Sequence, residues 1–194
     1  MSTRSVAWDE GEWTHDPVRA DVDGGDLVVT AREESDAWRV TSYGFIHDSE
    51  HALLSPLPRD TAVEVSFTVG LTEQFDQAGL FLRVSATRWI KAGVEYADGS
   101  PQLGVVVTDE MSDWSAAPVQ SWSGRIATIR ASRAGDAITI RARIDDEPFR
   151  FVRLVPLDPS TDLDAGPYVC APTRAGLTVR FHTWRHSSPD AALH

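Results

Sequence analysis

Four side chains between positions 77 and 95 could do chemistry together: Gln77, Trp89, Lys91 and Glu95, followed soon after by Ser112, Asp113 and Trp114. An aromatic face takes up the C–H groups of a sugar, and nearby donors and acceptors take its hydroxyls. Trp89 and Trp114 would supply the face, and Gln77, Ser112 and Asp113 would supply polar contacts. Lys91 would orient an anionic or hydroxyl group, and Glu95 would accept hydrogen bonds or serve as acid or base. Trp38, Tyr43 and His47 are candidates for a rim around this platform. The competing assignment for the tryptophans is the core, where large aromatics usually lie. Trp114 and Trp89 stay open between the two, and Trp89 has the further option of capping a sheet edge.

Strands must position these groups. Leu80, Leu82 and Val84 share one parity in 77–84, and Ile90, Ala92 and Val94 share one in 89–95, the period-two pattern of strands with one face on a core. The opposite parity carries Gln77, Arg83, Trp89, Lys91 and Glu95, together with Gly79 and Gly93, which read as leaving room above the backbone. Lys91 and Glu95 are about 13 Å apart along such a strand. Each therefore needs a cross-strand partner, solvent or a ligand, and a structural ion-pair network is the plain alternative to a site.

The rest of the chain punctuates itself in the same way. Asp23-Gly24-Gly25 reads as a hairpin turn; the segment is no calcium loop, because Arg32 stands where an EF-hand needs its bidentate glutamate. Val63, Val65, Phe67 and Val69 alternate with polar residues through 61–70, and Leu177, Val179 and Phe181 do so in 177–184. Segments 126–132, 137–144 and 148–155 imply two more hairpins. No stretch keeps apolar residues at i, i+3, i+4 and i+7 over three turns. About a dozen short strands between Gly, Pro and Asp turns predict an all-β chain, a two-sheet antiparallel β-sandwich of the jelly-roll kind. One domain over 1–186 and a frayed polar tail over 187–194 are expected.

With the elements in place, Gln77-Ala78-Gly79, Trp89-Ile90-Lys91-Ala92-Gly93-Val94-Glu95, Val106-Val107-Thr108 and Ser112-Asp113-Trp114-Ser115 together resemble the uncharacterised regulation-of-enolase-like, or YesU-like, family. The resemblance runs from Trp38 and Tyr43-Gly44-Phe45 to Gly166-Pro167-Tyr168. It implies the concanavalin A-like lectin/glucanase sandwich. It brings no catalytic assignment, and its link to carbohydrate is an analogy of fold. The family's label also suggests a protein partner, a metabolic enzyme.

Charge and spacing exclude several classes. With 29 acidic against 18 basic residues the net charge is -11. Arg141, Arg143, Arg150 and Arg153 are interleaved with Asp145, Asp146 and Glu147, so an ion-paired strand face, and not a nucleic-acid surface, is expected. The N-terminus lacks a signal-peptide apolar run and no run is long enough to span a membrane, so the expectation is a cytoplasmic protein without membrane contact. Cys170, the single cysteine, reads as a buried inert thiol. His47 with His51, and His182 with His186, sit four apart in strand-like segments, too far for one zinc ion. No metal is expected, and the absence of phosphate loops and dinucleotide fingerprints removes the common cofactors.

Glycoside hydrolysis needs two carboxylates about 5 to 9 Å apart. Glu95 stands alone on its strand, with Asp113, read as a loop residue, its only nearby candidate partner. A lyase or isomerase with Lys91 or Tyr43 as base is the other enzymatic option. Three functions remain: a binding module for a carbohydrate or small polar metabolite, a non-catalytic protein partner, and an enzyme whose catalytic candidates are Glu95 and Lys91.

Overall fold

The alternation in 61–70 becomes a strand whose Val63, Val65 and Phe67 are completely buried, with Glu64 on the other face. The same logic repeats along the chain. The computed structural model describes residues 3–193, so Met1, Ser2 and His194 lie outside the described residues. The strands are β1 (Arg4–Ser5), β2 (Glu12–Trp13), β3 (Arg19–Asp23), β4 (Asp26–Thr30), β5 (Ala37–Arg39), β6 (Ile46–Asp48), β7 (His51–Pro56), β8 (Thr61–Thr68) and β9 (Gln77–Arg83). They continue as β10 (Arg88–Ala97), β11 (Ser100–Asp109), β12 (Met111–Pro118), β13 (Ile126–Ala134), β14 (Ala137–Ile144), β15 (Arg150–Pro156), β16 (Asp164–Cys170) and β17 (Thr178–Ser187).

Two antiparallel sheets form a β-sandwich. The eight-stranded sheet runs β15-β14-β13-β8-β17-β4-β3, with β1 paired to β17, and the seven-stranded sheet runs β12-β11-β10-β9-β16-β7-β2. Between them lies the main core, which includes Leu80, Leu82, Ile129, Ile140, Phe67, Phe181 and Trp184. Each such side chain contributes about 1.5 to 3 kcal/mol by leaving water. Trp122 joins this core fully, and Trp8 and Trp13 pack against its edge. Gly24 (φ 61°) and Gly25 (φ 96°) supply the left-handed backbone that the β3–β4 turn requires. Among the described residues, no helix is long and apolar enough to cross a membrane.

The third sheet is the one that matters for the site. β5 and β6 form a two-stranded hairpin, and it lies over the outer face of the seven-stranded sheet. Beneath it a second apolar cluster contains Ala37, Ala52, Leu54, Phe81, Trp89, Val106, Tyr168 and Cys170, with Trp38 packed on it. A face that alternation marks as polar is therefore dry over part of its area.

Two expectations change in the folded chain. Gly79 faces Gly93 across β9 and β10, and a Cβ on either would sit 2.2 Å from a carbonyl oxygen of the facing strand. These glycines serve close backbone approach, and the place each Cβ would take is already filled by main chain of the facing strand. The expected frayed tail is also held as far as Leu193, and His194 lies outside the described residues. Asp190 pairs through its two oxygens with Arg130 Nε and Arg141 Nε, each at 2.9 Å, and Arg141 donates to the Leu193 carbonyl at 2.7 Å.

Candidate functional site

Register brings the polar parity together. Glu95 on β10 lies opposite Gln77 on β9 and Gln102 on β11, while Lys91 lies opposite Phe81 and Val106. Trp114 on β12 is paired with Val106, so it stands one strand further along the same row as Lys91. Over this floor the β5–β6 hairpin forms a flap, which brings Asp36, the residue just before β5, down onto Lys91.

The result is a fixed polar triad. Lys91 Nζ donates to Gln77 Oε1 at 2.7 Å and to Asp36 Oδ1 at 3.3 Å, and Gln77 Nε2 donates to the same Asp36 oxygen at 3.0 Å. The Ala37 amide adds a third contact to the same Asp36 oxygen at 2.8 Å. Lys91 is only 4% exposed. Burial works against its charge, yet Asp36 and then Glu95 outweigh that and hold its pKa above the ordinary lysine value. Burial likewise opposes ionisation of Asp36, but Lys91, Gln77 and the Ala37 N–H overcome it and keep the carboxyl below its usual range. Lys91 and Asp36 are therefore a charged pair at neutral pH.

Glu95 is different. Among the described residues its carboxyl has no hydrogen-bond partner. Burial pushes its pKa up to about 7; Lys91 pulls it down and Asp36 adds to the rise. The cleft thus holds one committed carboxylate and one that titrates near neutrality, the kind of divergence seen where a protein handles protons or polar ligands.

Aromatic rings wall the cleft. Trp38 and Trp114 stand nearly perpendicular (89°) with centroids 6.3 Å apart, and Tyr43 meets Trp38 at 5.7 Å and 68°. Tyr43 stacks on Phe45 at 5.2 Å, and Phe45 meets His47 at 4.5 Å. The Trp38 indole N–H is anchored to the Thr41 carbonyl at 3.0 Å, which fixes that ring. The enclosed volume is about 560 Å³, lined by Trp38, Tyr43, His47, Gln77, Lys91, Glu95 and Trp114 among others.

Three candidate residues lie elsewhere. Trp89 is 4% exposed and stacked on Phe81 at 5.3 Å, inside the second apolar cluster, so it does not border the cleft. Ser112 is buried and accepts the Arg39 amide at 2.9 Å, which ties the flap to β12. Asp113 is a strand residue and not a loop residue, has the opposite parity to Trp114, and pairs with Arg153 at 2.7 Å. It is no partner for Glu95, and the carboxylate nearest to that role is Asp36.

The cleft also contains residues that sequence reasoning missed: Glu34, Asp36, Phe45, Phe75 and Pro172. Phe45 carried a signal, its place in the Tyr43-Gly44-Phe45 run. Asp36 carried none, because its partner is 55 residues away in the chain.

Other candidates resolve into structure. His51 accepts the Arg32 amide at Nε2 and donates from Nδ1 to the His15 carbonyl, both at 3.0 Å. His182 lies between Thr68 at 2.8 Å and Asp26 at 3.1 Å. Among the described residues no group of three His, Cys, Asp or Glu side chains is disposed to hold a metal. Burial raises the Cys170 thiol pKa well above its ordinary value. The arginine-rich face is engaged too: Arg141 with Asp190, Arg150 with Glu147, Arg153 with Asp113, and Arg143 over the Phe149 ring at 4.6 Å.

Comparison with known proteins places this geometry. The chain is 31% identical over 195 residues to Regulation of enolase protein 1 of Saccharomyces cerevisiae, covering 100% of this chain and 98% of that one. It is 30% identical over 168 residues to Uncharacterized protein AN7484 of Emericella nidulans, covering 80% and 83% of the two chains. The crystal structure of a functionally unknown protein from Saccharomyces cerevisiae superposes with a TM-score of 0.89 at 31% identity, covering 96% of this chain and 100% of that one.

More distant structures share the fold. A xylan beta-1,4-xylosidase from Bacillus halodurans matches with a TM-score of 0.72 at 13% identity, over 94% of this chain and 38% of that one. Lectin I-B4 from Griffonia simplicifolia matches with 0.58 at 17% identity, over 94% of both chains. The sandwich is thus of the concanavalin A-like lectin/glucanase type. The family model described as "Protein of unknown function (DUF1349)" matches residues 13–189, and the chain belongs to that family.

Proposed function

We propose that the cleft binds a carbohydrate or a sugar-like small molecule. The observation that carries this is the meeting, on one concave surface, of solvent-facing aromatic rings with polar groups already locked in place. Trp114 is 40% exposed and Tyr43 58% exposed, and both border the same cleft as Gln77, Lys91 and Glu95. Preorganised donors and acceptors beside an aromatic wall give a polyhydroxyl ligand its orientation without a further ordering cost. The volume suits a ligand of one or a few sugar rings. The same fold in a xylosidase and a lectin supports the reading by analogy alone.

Intrinsic tryptophan fluorescence, titrated with neutral and charged mono- and oligosaccharides, tests it. The expected result is a saturable change in the wild type that is lost in Trp114→Ala. Trp114 lies on an edge strand and belongs to neither apolar core cluster, so this variant is expected to keep its fold. Absence of any response from a folded wild type overturns the reading. Product analysis with a bound sugar then separates a binding module from a hydrolase or lyase using Glu95.

A second reading, docking of a protein partner, is favoured by the relative named Regulation of enolase protein 1 and by exposed Tyr43, Phe45 and Trp114, which border the cleft. Enolase titrated with wild type and Trp114→Ala in an ultracentrifuge is its direct test.

A further inference from the structure

The charges lining the cleft are unequal. Glu34, Asp36 and Glu95 all border it, and among the described lining residues Lys91 is the only permanent cation. That cation is already held by Asp36 and Gln77. An acidic ligand would therefore meet carboxylates with no free positive charge to receive it. The perpendicular rings of Trp38 and Trp114, with Tyr43 beside them, make a corner of π faces, and such faces attract cations within about 6 Å of the ring centre. Glu95 borders the same space as Trp114 and has no hydrogen-bond partner among the described residues.

Resting on the reading of this cleft as a small-molecule site, we infer that its ligand carries a positively charged ammonium group, set in the corner of Trp38 and Trp114 with the Glu95 carboxylate as counter-ion. An amino sugar has that chemistry; a neutral or acidic saccharide lacks it. The ammonium donates the hydrogen bond, or the contact charge, that Glu95 otherwise goes without, while Asp36, Gln77 and Lys91 meet the hydroxyls.

The environment of Glu95 sets a pH signature. Lys91 on its own strand is fixed as a cation. Gln77 and Gln102 on the flanking strands are neutral. Asp36, Glu34 and His47 face the cleft from the flap side, and burial keeps Tyr168 and Cys170 on β16 uncharged. An ammonium ligand stabilises the ionised form of Glu95, so binding expels a proton and weakens as pH falls below about 7.

The test uses fluorescence titration of the full chain. At pH 7 the probes are cellobiose, the β-1,4-linked glucosamine dimer and cellobiouronic acid; at pH 8 and pH 6 they are choline, whose charge is permanent, and its neutral isostere 3,3-dimethylbutanol. The glucosamine dimer is expected to bind about tenfold more tightly than cellobiose, and the acid more weakly than either. Choline is expected to exceed its isostere at pH 8 and to lose about tenfold by pH 6. In Glu95→Gln both the preference and the pH step are expected to shrink towards unity.

Sugar binding without charge preference overturns the ammonium inference and leaves the carbohydrate reading standing. Choline selectivity without any disaccharide binding does the reverse. Tighter binding of the acid, or pH-independent choline binding, also overturns the inference.

Discussion

Replacing Lys91 with methionine isolates the contribution of the buried triad. Methionine nearly matches the lysine stem in length and volume, so packing against the floor survives. Lost are the 3.3 Å contact to Asp36 and the 2.7 Å bond to Gln77. The Asp36 carboxylate then sits in the flap junction without its cation, and removing one partner of a buried pair destabilises by about 3 to 5 kcal/mol. The Asp36 side chain retains 19% exposure, and residual solvent places the expectation near the lower end. For a chain of this size roughly 2 to 4 °C of melting temperature corresponds to each kcal/mol, so a drop of roughly 6 to 12 °C is expected.

The pH dependence has a defined sign. In the wild type the lowered carboxyl pKa of Asp36 gives stability that is present above the unfolded value of 3.8 and is lost as pH falls through the lower folded value. In Lys91→Met the carboxyl is no longer held low, so the deficit of the variant shrinks as pH falls towards 4. Adding Asp36→Leu to Lys91→Met removes the stranded charge and is expected to recover more than half of the loss. Urea denaturation at pH 7 and pH 4.5 measures all three proteins. A deficit under about 1 kcal/mol, or a double variant no more stable than the single, would refute the reasoning.

Glu95 and the glycine pair give two further tests. Because its folded pKa is raised from 4.5 to about 7, ionisation of Glu95 destabilises the native state as pH rises through that window. Glu95→Gln is accordingly expected to be more stable than the wild type by on the order of 1 to 2 kcal/mol at pH 8, with no such gain at pH 4.5; a difference that is the same at both values contradicts the assignment. Gly93→Ala puts a Cβ 2.2 Å from the Ala78 carbonyl oxygen. A loss on the order of 3 kcal/mol is expected in urea denaturation, and a variant within 1 kcal/mol of the wild type would show that β9 and β10 can part there without strain.

Alternation made the frame legible. Wherever a strand has one face on the main core, as in β8 with Val63, Val65 and Phe67, the period-two pattern survives in the sequence. It failed at β12, whose residues are nearly all exposed and whose Ala, Ser and Pro have little strand preference, so Asp113 read as a loop residue. Trp89 was ambiguous for a different reason. Its parity correctly puts it on the outer face, but nothing local says that a distant hairpin covers that part of the face. Asp36 was invisible because ion pairing across 55 residues leaves no periodic trace. The glycines were seen but misread, since absence of a side chain serves backbone approach as readily as ligand access.

The flap has a consequence for how this scaffold can change. Its strands belong to neither large sheet, and it meets the frame through a few contacts such as Arg39 N–H to Ser112, Ser35 to the Ala171 amide, and Asp36 to Lys91. The connecting segment holds Val40 and Ser42 at φ 64°, conformations that neither residue favours, so it gains little from its present sequence. Tyr43 and Phe45 can therefore be exchanged, or the turn lengthened, without disturbing the hydrogen-bond ladders that keep Gln77, Lys91 and Glu95 in register. The 43–47 part of the rim and the ladders of the frame are encoded in different parts of the chain, while the charge preference set by Glu95 stays with the frame. A library confined to residues 40–47 would diversify one while leaving the other untouched.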